Sequence, residues 1–133
     1  MARGILGVVA GLLTFVAVVA VAGIIMRGAW PEYARVADAM TFTLPMMIAR
    51  LAIGALATIA AGLVTAAIAK RSTLVRLAPG LLLLVAFIPQ HIMLWEKFPV
   101  WYHLTFLLSL VPLTYLGGRA VSREATSAAL SLS

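Results

Sequence analysis

Four long apolar runs dominate the chain. They cover residues 4–26, 44–69, 77–95 and 101–118. The first carries no charge, and the second is broken only by Arg50 near its start. A helix that crosses the hydrocarbon of a bilayer needs about 20 residues, within a range of about 17 to 25, so every run is long enough. Lipid offers a peptide group no hydrogen-bond partner, so such runs must close their backbone bonds internally, as helices. A transmembrane β-barrel is excluded because apolar and polar positions do not alternate. The predicted fold class is an all-α integral membrane protein: a four-helix transmembrane bundle forming one membrane domain over residues 1–133.

The segments between the runs refine this picture. Arg3, the first apolar run and the small residues of 20–23 also fit a secretory signal, whose apolar core is about 7 to 15 residues. The run here is longer, so the first helix is expected to stay in the mature protein. In the segment 30–42, Pro31 suits a first helical position, and Tyr33, Val36, Ala37 and Met40 recur at helical spacing. Glu32, Arg35 and Asp38 fall on the other side, so a short amphipathic helix on the membrane surface is predicted. Pro89 and Pro112 should kink the third and fourth helices. Gly117 and Gly118 read as a helix stop, and the small polar tail 119–133 as frayed.

Composition agrees. Hydrophobic residues make up 64% and charged residues 11% of the chain, against about half and about a quarter in soluble domains. The absence of cysteine removes disulfides, thiolate metal sites and iron–sulfur clusters. The net charge of +6 is spread over the ends of the runs with no basic face, so nucleic acid is not an expected partner. The charges instead give an orientation. Arg3, Lys70, Arg71, Arg76, Arg119 and Arg123 fall on one side, with Glu124 as the only acid there. Arg27, Arg35 and Lys97 fall on the other side, balanced by Glu32, Asp38 and Glu96. The positive-inside rule places both termini in the cytoplasm. In size, hydropathy and charge asymmetry the chain resembles small four-span proteins of bacterial inner (plasma) membranes.

Lipid is as apolar as leucine, so helices in it associate through small residues that let backbones approach. Gly7 and Gly11 of the first helix, and Gly54, Thr58 and Gly62 of the second, form two small-residue faces. They are expected to meet each other, or to form the seam of a homo-oligomer.

The remaining polar chemistry gathers in one stretch, IPQHIMLWEKFPVWYHLTF, residues 88–106. It contributes Gln90, His91, Trp95, Glu96, Trp101 and His103. Arg50 lies about 9 Å inside its helix by the 1.5 Å rise per residue and belongs to the same end. An ionisable group within a span is costly and marks a functional candidate. Arg50 is therefore expected to pair with Asp38, Glu32 or Glu96. A hairpin through Pro99 would bring His91 and His103 to similar depth beside a shared cavity. The same residues also suit an aromatic anchoring belt.

No nucleotide loop, nucleophile elbow or catalytic acid pair is present, so enzymatic activity is not expected. No acid or histidine sits mid-helix, which argues against proton-coupled transport. No cofactor is implied, and two histidines without an H-E-x-x-H arrangement do not make a zinc site. The first expectation is a non-enzymatic accessory or interaction subunit of a membrane assembly, with the bilayer and a protein partner or second copy as contacts. The alternative is a small-solute channel, carrier or ligand-binding protein, for a quinone-like molecule or a metal, built on the polar cluster.

Overall fold

The computed structural model of the protein describes residues 2–69 and 73–132, with the side chains of 122–126 excepted. Five helices follow one another: α1 (Ala2–Ala29), α2 (Pro31–Ala37), α3 (Leu44–Ala69), α4 (Thr73–Met93) and α5 (Val100–Leu132). Helices α1, α3, α4 and the part of α5 over Val100–Val121 are long and apolar enough to cross a membrane. Lys70, Arg71 and Ser72 lie outside the described residues, as do the side chains of Arg123 and Glu124.

Helix α3 is central. It packs along α1 on one side and α5 on the other, while α4 sits mainly on α5. The reason lies in its sequence: Gly54, Ala57, Thr58, Ala61, Gly62, Thr65 and Ala66 are all buried. These small residues let two backbones come close to α3 at once. The larger core side chains are few: Phe15, Leu83 and Leu110 close around Ala57 and Ala61. Bulky aliphatic residues point outward from every long helix, among them Ile5, Leu13, Leu56, Val85 and Leu108.

The expected small-face contact is divided between two interfaces. Gly7 and Gly11 do face α3, but they meet Ala61, Thr65 and Ala69, and a Cβ on Gly7 would stand 2.9 Å from the Thr65 carbonyl oxygen. Thr65 Oγ1 also donates to the Gly7 carbonyl oxygen at 3.1 Å. Gly54 and Gly62 turn away from α1 and toward α5, where they meet Phe106 and the Thr114 backbone. Thr58 is buried and bonds back to the Gly54 carbonyl oxygen at 2.6 Å. Alanine and threonine supply the smallness on the α1 side, which frees the glycines for the other interface. Four of these five residues are thus spent on contacts between helices of one chain.

Gly117 and Gly118 do not stop α5, which continues to Leu132. No glycine has positive φ, so neither adopts the left-handed stop conformation. They are contact points instead. A Cβ on Gly117 would collide with the Ile59 carbonyl oxygen, and one on Gly118 would stand 3.2 Å from the Arg76 side chain. Beyond them Arg, Glu, Ala and Leu are good helix formers, so the expected fraying gives way to helix.

Two turns shape the end opposite to Arg3. Trp30 separates α1 from α2, with Pro31 at the first helical position. Helix α2 is shorter than the predicted segment, and Met40 turns the chain back with φ of 57°. Its apolar side faces protein: Tyr33 and Ala37 are buried with Met46, against Met26, Val36 and Phe42. The α4–α5 hairpin closes with Lys97 N–H donating to the Leu94 carbonyl at 2.9 Å and Tyr102 N–H to the Pro99 carbonyl at 3.0 Å. Pro99 cannot donate there, and the helix restarts just after it.

Candidate functional site

The four long helices and the short α2 converge at this aromatic end. Phe87 and His91 lie one turn apart on α4. Phe98, Tyr102 and Phe106 follow at the same four-residue step through the hairpin and α5, so their rings line one side of the helix pair. The rings continue one another: Phe98 stacks on Tyr102 at 4.4 Å and on Phe42 at 5.9 Å, and Phe42 stacks on Tyr33 at 5.1 Å. Phe106 meets Phe87 edge-on at 5.0 Å and stacks on His91 at 4.9 Å. Such offset and edge contacts between rings are favourable by about 0.5 to 1.5 kcal/mol each beyond area burial.

Arg50 enters this layer from α3. Its Nη1 donates to the Tyr33 hydroxyl at 2.8 Å and its Nε to the Tyr102 hydroxyl at 3.3 Å. The guanidinium also stands 4.6 Å from the centre of the Phe42 ring. The expected acidic partner is replaced by these neutral groups. Asp38 pairs with Arg27 at 3.2 Å, and Glu32 with Arg35 at 3.8 Å, both exposed. Glu96 is exposed as well. The acids stay in contact with water because burying a carboxylate beside a half-buried guanidinium costs several kcal/mol per ion, about as much as the pair recovers. Phenol oxygens and ring faces satisfy the cation without that penalty.

The two histidines meet directly. His91 Nδ1 and His103 Nδ1 are 2.6 Å apart. His103 is fully buried; its Nε2 lies 3.2 Å from the Trp95 carbonyl oxygen, and Trp95 stacks flat on its ring at 4.7 Å. The Nδ1–Nδ1 contact is a hydrogen bond and leaves no room between those nitrogens for a metal, since two zinc-bound nitrogens at about 2.0 to 2.1 Å and tetrahedral angles stand more than about 3 Å apart. Among the described residues no three His, Asp or Glu side chains come together as a metal site.

Beneath the rings lies a cavity of about 200 Å³. Arg50, Tyr33, Tyr102, Gln90 and His91 give it polar groups, and Phe15, Phe87, Phe98, Phe106 and Ile53 give it apolar walls. Val19, Gly23 and Met26 of α1 complete it. Of the residues singled out in the sequence, Arg50, Gln90 and His91 share this space. His103 stands behind His91, and Trp95 covers His103. Glu96 and the half-exposed Trp101 do not reach the cavity. Sequence reasoning missed Tyr33, Tyr102 and the phenylalanines as site residues, although the four-residue ring ladder 98, 102 and 106 was there to be read.

Comparison with protein-family models, curated proteins and solved structures finds no match for this chain.

Proposed function

We propose that this is a multi-pass membrane protein of a bacterial-type inner membrane that holds the polar head of a small lipid-soluble ligand in the cavity at its aromatic end. Four helices that are long, apolar and covered outside by aliphatic side chains support insertion. The basic residues at the end carrying Arg3, Arg76 and Arg119 support a cytoplasmic position for both termini. The aromatic end then faces outward, with α2 at the membrane surface.

One observation carries the ligand reading. Arg50 lines a cavity of about 200 Å³ with two of its five N–H groups given to tyrosine hydroxyls. A guanidinium has no acceptor function, and its remaining N–H groups can only donate. A cation held beside open space by neutral partners favours a ligand oxygen with negative or partial negative charge, and the low polarity around it strengthens that contact. Mostly apolar walls with a few convergent polar groups are the usual make-up of a small-molecule site. The accessory-subunit role expected from the sequence rested on the lack of catalytic motifs and of acids or histidines mid-helix, and the cavity favours ligand binding over it.

The test is extraction in mild detergent followed by mass spectrometry of retained small molecules. The wild-type protein should retain about one ligand per chain, and Arg50→Met should lose it while remaining folded. A stoichiometric protein partner with no retained small molecule in either form would favour the accessory role instead.

A further inference from the structure

The chemical class of the ligand can be taken further, on the reading of the cavity as a ligand site. A carbonyl oxygen only accepts, so the His103 Nε2 that faces the Trp95 carbonyl at 3.2 Å carries the hydrogen. In the neutral ring the lone pair is then on Nδ1. His91 Nδ1, 2.6 Å away, must supply the hydrogen of that contact. The lone pair of His91 is therefore on Nε2, which makes no hydrogen bond among the described residues. The Trp95 carbonyl thus dictates, through His103, that the histidine lining the cavity presents an acceptor. Arg50 presents donors to the same space. A complementary ligand offers both a hydroxyl hydrogen and an oxygen lone pair.

Size and shape narrow the class. A dry cavity of about 150 Å³ is enough to bind benzene, so one of about 200 Å³ takes a single six-membered ring with small substituents. The ring-lined walls suit an aromatic one. Any longer tail must leave the cavity, and the walls show where. Helix α1 lies along α3 and only lightly against α4. Gly23 lines the cavity, yet a Cβ there meets nothing within 4 Å. Val19 and Gln90 line the cavity and are exposed. The opening runs sideways between the outer halves of α1 and α4, where lipid would lie.

We infer that the site binds a hydroxyl-bearing aromatic ring on an apolar tail, a phenol or hydroquinone lipid, admitted laterally between α1 and α4. It prefers that form to the corresponding quinone, whose two carbonyl oxygens cannot donate to His91 Nε2.

The experiment is calorimetric titration of the detergent-purified protein at pH 8, above the ordinary range of histidine. The probes are decyl-hydroquinone kept reduced with ascorbate, decyl-benzoquinone, the hydroquinone dimethyl ether, and decanoate. The hydroquinone should bind at least about tenfold more tightly than the other three, because a buried acceptor left unpaired is costly. His91→Phe keeps a ring against Phe106 and removes the acceptor, so the ratio of hydroquinone to quinone affinity should fall to near one. Gly23→Trp fills open space, so it should leave the thermal midpoint near wild type and weaken binding at least about tenfold. Equal or tighter binding of the quinone, the ether or decanoate to the wild type would overturn the inference. If no ring compound binds but another molecule is retained in an Arg50-dependent way, the ligand class fails and the cavity reading stands. If nothing is retained and Arg50→Met changes nothing, both fail.

Discussion

Two glycines of α1 should respond to the same substitution with opposite signs. A Cβ on Gly11 would stand 2.7 Å from the Ala61 carbonyl oxygen and would collide with the Thr65 hydroxyl. A Cβ on Gly23 would meet nothing within 4 Å. Replacing a helical glycine by alanine gains up to about 1 kcal/mol of backbone propensity at either place. At Gly23 nothing opposes that gain. At Gly11 the obstacle is a backbone atom of a central helix, which cannot rotate away. Helix α1 must shift outward, and overpacking of this kind costs about 1 to 3 kcal/mol. The shift also stretches the Thr65–Gly7 hydrogen bond of 3.1 Å, and bonds between helices in lipid average about 0.6 kcal/mol. The balance is a loss of about 1 to 2 kcal/mol for Gly11→Ala, against a gain of up to about 1 kcal/mol for Gly23→Ala. Equilibrium unfolding in mixed micelles of mild detergent and dodecyl sulfate measures both. Gly11→Ala as stable as wild type would refute the seating of α1 on Ala61 and Thr65.

Thr65→Val keeps the shape and removes the donor to Gly7, so the same assay should show a loss of about 0.5 to 1.7 kcal/mol. Arg50→Met combined with Tyr33→Phe or Tyr102→Phe should be non-additive by about 0.5 to 3 kcal/mol, whereas its combination with Asp38→Asn should be additive; the reverse pattern would restore an acidic partner for Arg50. Because the chain has no cysteine, single cysteines report sidedness cleanly. Ser72→Cys and Ser127→Cys should resist an impermeant thiol reagent in intact cells, and Ala39→Cys should react. Ala37, on the apolar side of α2, is buried and would not serve. Labelling of Ser72→Cys from outside would reverse the proposed orientation.

The helical architecture was legible because each long helix is an apolar run, and hydropathy needs no tertiary information. Helix α3 matches its predicted bounds, and the others differ mainly at their ends. Gly117 and Gly118 misled because the same residue type ends helices and admits close neighbours. Only the position of Ile59 and Arg76 distinguishes the two uses. The glycines of α3 were read as one face toward α1 because a stripe on a helix says nothing about how many neighbours that helix has. The proximity of His91 and His103 could be expected from a tight hairpin at Pro99. Arg50 could not be placed in the same way. Charge complementarity pointed to Asp38, Glu32 and Glu96, whereas the folded chain surrounds the guanidinium with phenols. In the sequence Tyr33 reads only as one position on the apolar side of a short helix, and only the return of the chain through Met40 brings it across to α3.

Whether a ligand occupies the cavity beside Arg50 is decided by an experimental structure of the protein extracted with its native lipids into nanodiscs. Density is expected for a ring-sized group within hydrogen-bond reach of Arg50 and His91, with Tyr33 and Tyr102 still holding the guanidinium. A closed cavity, with Arg50 swung outward to Asp38, Glu32 or a lipid headgroup and nothing bound, would contradict the ligand reading.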